Sequence, residues 1–135
     1  MEINAAKVKE LRARTGAGMM ECKNALVDAS GDMEAAVEIL RKKSKTIADK
    51  KASRIAAEGR IAMAFTDKQA AMVELNCETD FVANKEEFYD FAQLLADHAL
   101  QLGTNDENEL LKREFQGQTF EDRRRDLIGK IGEKI

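Results

Sequence analysis

The sequence predicts an α+β fold: a three-helix module followed by a β-hairpin, or small antiparallel sheet, covered by helices. Three observations carry this. Apolar residues recur at helical spacing through the first third of the chain. The period switches to two after Gly59. It returns to helical spacing from Lys85 onward.

The first helix is predicted over 4–14, where Ala5, Val8 and Leu11 share a face and Asn4 can cap the N-terminus. The glycines of "TGAG" (15–18) break it. A second helix over 19–29 puts Cys22, Ala25, Leu26 and Ala29 on one side. "SGD" (30–32) stops it, with Gly31 suited to a helix C-terminus and Asp32 to the next N-cap. The third helix, 33–43, aligns Met33, Ala36, Val37 and Leu40. Glu34 in its first turn and the basic cluster in its last both suit the helix dipole. Residues 44–57 read as a helical or flexible connector.

Beyond Gly59, "RIAMAFT" (60–66) alternates, with Ile61, Met63 and Phe65 on one face. "AAMVELNCE" (70–78) alternates again. Ala71, Val73, Leu75 and Cys77 share one face, and Glu74 and Asn76 the other. Two such runs about the polar turn "DKQ" make a hairpin, which needs further strands or a helical cover to be stable. The cover is predicted over 85–103, with a shorter helical piece over 106–115. A last helix over 119–135, capped by Thr119, turns Phe120, Leu127, Ile128 and Ile131 toward the sheet. The organisation expected is residues 1–55 as a helical module with a basic connector, and 56–135 as a hairpin unit lacking a third strand.

Net charge is −3, unevenly spread: residues 1–55 carry 12 Lys and Arg against 8 acids, and residues 56–135 carry 10 against 17. That asymmetry suits two modules with different surfaces. The basic excess lies in 41–54, which has no interleaved aromatics, so a solvated helix face is favoured over nucleic-acid binding. Two distant cysteines, Cys22 and Cys77, form neither a disulfide framework nor a zinc site. No signal-like or membrane-spanning apolar run occurs, so a reducing cytoplasmic location is expected, with no membrane partner. No metal or cofactor is expected. A thiol–imidazole pair would have to use Cys22 or Cys77 with His98, and nothing in the sequence activates either thiol. The glycines of "TGAGMMECK" follow no strand and match no phosphate-loop pattern.

Two features resist the plain reading. Met19 and Met20 are adjacent on a helix and point about 100° apart, so both cannot enter one small core. Methionine is an adaptable contact residue, and the exposed one reads either as an interaction surface or as a loosely packed edge. The other feature is "TDFV" (79–82), placed where a strand ends. Pattern alone leans toward Thr79 and Asp80 as caps, with Phe81 and Val82 in the core. The alternative is an acid–aromatic tip that enters a partner.

"LRARTGAGMMECKNAL" (11–26) and "ELNCETDFVAN" (74–84) closely resemble the two signature segments of the bacterial elongation factor Ts family, and the resemblance extends over the whole chain. That family exchanges guanine nucleotide on elongation factor Tu. The resemblance implies a helical module like a ubiquitin-associated domain, then a first core subdomain whose third strand and further domains lie beyond Ile135. It implies partner contacts from Arg12, Met19, Met20 and Lys23 on the helical module, and from Thr79, Asp80, Phe81 and Val82 at the tip. Phe81 is then expected to wedge between helices of the GTPase near its Mg²⁺ and nucleotide site, with Asp80 beside it. Catalytic residues are not expected, nor is direct binding of nucleic acid. A bare ubiquitin-binding module on 1–54 is the competing class.

Overall fold

A computed structural model describes residues 2–135. Seven helices and four short strands occur among them, in an α+β arrangement. The chain forms two compact units. One comprises Met1–Lys51 and Arg125–Gly132, the other Ala52–Arg124 and Glu133–Ile135.

The first unit holds α1 (Ala5–Thr15), α2 (Met19–Asp28) and α3 (Met33–Lys51). The Asn4 side chain accepts from the Lys7 amide at 3.0 Å and caps α1. Asp32 does the same for α3 through the Ala35 amide at 2.7 Å. The Gly31 amide closes the end of α2 onto the Leu26 carbonyl at 2.8 Å. Val8, Leu11, Cys22, Leu26, Val37 and Leu40 are buried in the shared core. These are the positions that helical spacing selects. The third helix runs past Lys43 to Lys51, absorbing most of the basic connector. Lys43 pairs with Glu21 at 2.7 Å and holds that carboxyl below its ordinary value.

The second unit opens with β1 (Glu58–Phe65) and β2 (Ala70–Cys77), an antiparallel two-stranded sheet in which Met63 lies opposite Met72. Gly59 is required by close approach, since a Cβ there would overlap the Leu75 carbonyl oxygen. Then come α4 (Asp80–Ala83), α5 (Glu86–Leu102) and α6 (Glu107–Lys112). Helix α5 covers one face of the hairpin and buries Phe88, Phe91, Ala92, Leu95 and Ala96. The covered face takes Ala62 and Ala64 from β1 and Leu75 and Cys77 from β2. Ile61, Met63 and Phe65 do share a face, as alternation predicts, but it is the outer one. They are exposed there together with Met72. Alanines against a helix leave room for its side chains, so the large residues of β1 face away.

Two expectations are corrected. The helical piece predicted over 106–115 stops at Lys112, and Glu114–Phe115 (β3) pairs with Gln118–Thr119 (β4). Gln116 and Gly117 both take positive φ, 52° and 77°, the backbone of a tight two-residue hairpin turn. The last helix, α7 (Phe120–Ile131), does begin after Thr119, whose hydroxyl accepts from the Asp122 amide at 3.1 Å. Its residues from Arg125 onward nevertheless belong with the N-terminal helices rather than with the hairpin. Gly129 lies so close to α3 that a Cβ there would come within 2.7 Å of the Ser44 hydroxyl oxygen.

Candidate functional site

Strand β2 ends at Cys77, and the chain turns at once into the single helical turn α4. Thr79 is its N-cap, accepting from the Val82 amide at 3.5 Å. Val82, expected as a partner contact, is instead buried with Ala83 beneath the turn because its side chain packs into the core, and Asp80 and Phe81 are exposed above it. Phe81 is 80% exposed, which decides the pattern ambiguity: it is not a core residue. A four-residue helix has too few internal hydrogen bonds to stand alone, so its surroundings must hold it.

They hold it at both ends. At the C-terminal end, Arg60 of β1 donates to the Ala83 carbonyl and to the Asn84 side-chain oxygen, each at 2.8 Å. The same guanidinium lies 5.7 Å from the Tyr89 ring centroid. At the N-terminal end, the Glu133 carboxylate accepts from the amides of Glu78 (3.0 Å) and Thr79 (2.9 Å) and from the Thr79 hydroxyl (2.6 Å). The Cys77 thiol donates to the Thr79 carbonyl at 3.2 Å, and burial pushes its pKa up. Arg60 and Glu133 escape sequence reasoning. Their partners lie 23 to 55 residues away, and no local pattern marks them.

On the helical unit, Arg12, Met20 and Lys23 are exposed, and Met19 is 39% exposed against 64% for Met20. Both methionines therefore reach solvent. Arg12 and Met19 line one shallow depression together with Lys9, Ala13, Gly16 and Lys130. Its charged residues are all cations. The Cys22 thiol, by contrast, is fully buried, and burial raises its pKa.

The remaining chemically distinctive side chain is His98, buried on α5. Its ring meets Phe115 and Phe120 edge-on, at centroid distances of 4.9 and 4.8 Å. Burial pulls its pKa down, aided by Arg113 and Arg123 and opposed by Asp97. Its Nδ1 has no hydrogen-bond partner among the described residues. Both thiols are buried and the imidazole is a packing element, while the exposed features include an aromatic tip, a methionine–cation face and the outer face of the hairpin. Of these residue types, phenylalanine, methionine and arginine are enriched at protein interfaces. Among the described residues, no helix is long and apolar enough to cross a membrane.

The family described as Elongation factor TS matches residues 78–135. Along its whole length the chain is 52% identical to Elongation factor Ts of Thioalkalivibrio sulfidiphilus, of which it covers 47%. It is 53% identical to that of Hydrogenovibrio crunogenus, again covering 47%. The chain belongs to the elongation factor Ts family. It spans about half the length of the curated relatives it matches.

Proposed function

We propose that this chain promotes release of GDP from the GTPase elongation factor Tu in the cytoplasm, acting by binding rather than by covalent chemistry. The observation that carries the reading is Phe81, an exposed aromatic on a turn anchored at both ends. Arg12, Met19, Met20 and Lys23 dock the helical module on the nucleotide domain of the GTPase. Phe81 enters between two of its helices, next to the Mg²⁺ and nucleotide site. Asp80 presents a carboxylate to the same region. Thr79 and Val82 shape the turn that carries them.

The thermodynamics follow from linkage. A GDP affinity near nanomolar corresponds to about 12 kcal/mol. An exchange factor must bind the nucleotide-free GTPase better than the GDP form, and the factor by which it weakens GDP equals the factor by which GDP weakens it. Burying one Phe contributes roughly 1.5–3 kcal/mol, a tenfold to hundredfold effect, so Phe81 needs the docking surface to hold it in place. The test is stopped-flow release of fluorescent GDP from elongation factor Tu with and without this chain. Acceleration that saturates with chain concentration is expected, and an unchanged release rate at saturating chain overturns the proposal.

A further inference from the structure

We infer that Glu133 is a positioning residue for Phe81: its carboxylate locks the base of α4 so that the aromatic tip is presented in one orientation. This rests on the exchange reading above. One carboxylate takes three hydrogen bonds, from two consecutive backbone amides and the N-cap hydroxyl, at 3.0, 2.9 and 2.6 Å. Two successive amides aimed at one anion, with a hydroxyl donor beside them, are a strong carboxylate-binding arrangement. The lock is reciprocal. The Glu78 carboxylate accepts from the Lys134 amide at 2.8 Å and from Arg54 at 3.4 Å, so residues 78–79 and 133–134 hold each other. All of these groups except Arg54 are partly buried, where charge-assisted hydrogen bonds are poorly replaced by water.

The geometry assigns Glu133 this role because the local cap is weak. The Thr79 bond to the Val82 amide is long, at 3.5 Å, whereas the Glu133 bond to the Thr79 hydroxyl is short, at 2.6 Å. With Arg60 holding the other end, the turn has two fixed points about Phe81. A tip free to swivel would lose its conformational freedom only as it wedges into the already docked partner, which raises the barrier to GDP release and leaves docking by the helical module unchanged. A locked tip has already lost it on folding.

The experiment has two arms on the full chain. In the first, amide hydrogen exchange at Glu78 and Thr79 is compared between wild type and Glu133→Ala, with Glu133→Gln as the milder variant that keeps one acceptor oxygen. The expected result is exchange about tenfold or more faster in the alanine variant and intermediate in the glutamine variant. Unchanged protection overturns the lock, whatever the partner. In the second arm, GDP release from elongation factor Tu is measured for Glu133→Ala, Phe81→Ala and the double variant. We expect the maximal release rate to fall about tenfold in Glu133→Ala, with the half-saturating concentration little changed, and Glu133→Gln to recover part of it. In the Phe81→Ala background the Glu133 substitution should cost nothing further. Equal losses in both backgrounds overturn the positioning role. Full activity of Phe81→Ala overturns the wedge reading itself, and the hydrogen-exchange arm still decides the lock.

Discussion

The helices of the first unit and strand β1 of the second handle their large apolar residues in opposite ways. In the helical unit Leu11, Leu26 and Leu40 are buried, and the apolar side chains left outside include the tandem pair Met19–Met20. In the hairpin, β1 buries Ala62 and Ala64 and leaves Ile61, Met63 and Phe65 outside. The contrast marks how far periodicity can be read. A helical stripe has one apolar side, so spacing alone names the core. A strand with apolar residues on both faces has two candidates, and only the element that covers it chooses between them.

Substitutions can test this opposition directly. Leu26→Ala should destabilise the chain by about 2–5 kcal/mol, whereas Phe65→Ala should cost within about 0.5 kcal/mol, measured by urea unfolding. A large loss at Phe65 would mean that the outer sheet face is covered. Phe81→Ala should slow GDP release about tenfold to hundredfold, with little change in the melting temperature because the ring is exposed. Unfolding of this variant would return Phe81 to the core.

His98 gives a pH test within the hairpin unit. Its folded pKa is lowered, chiefly by burial. Well above about pH 6.5 the imidazole is neutral in both states and adds no pH dependence. As pH falls through that value, the unfolded chain takes up a proton that the folded chain resists, so stability drops. His98→Phe should flatten the fall in melting temperature between about pH 6.5 and 5, and an identical slope would discard the explanation. A more modest change is expected at Met20. Met20→Ala should weaken binding to elongation factor Tu about fivefold in calorimetric titration, while Met33→Ala, at a partly buried position packed on the helical core, should act on stability instead.

Much of the fold is legible in the sequence because its signals are local. Asn4 and Asp32 cap where their positions suggest, Gly31 ends α2, and the hairpin pairs about its polar turn. The β3–β4 hairpin is not legible, because its strands are two residues long, too short for any period, and its only mark is Gln116–Gly117. The placement of α7 from Arg125 onward escapes for another reason: Ile128 and Ile131 name an apolar stripe without naming what covers it.

The candidate site divides along the same line. Residue order suffices for most of the elements, for the helical core and, through the "TDFVAN" and "TGAGMMECK" motifs, for the family. It does not say whether Phe81 points inward, since a residue just past a strand end is bound by neither the pleat nor a helical stripe. That answer comes from packing at long range. Burial of Val82 and Ala83 sets the underside of α4, Arg60 and Glu133 clamp its ends, and Phe81 is left outside. The physical reason is reach. Local pattern encodes which groups are apolar or can cap, whereas an exposed, oriented side chain depends on hydrogen bonds to residues dozens of positions away.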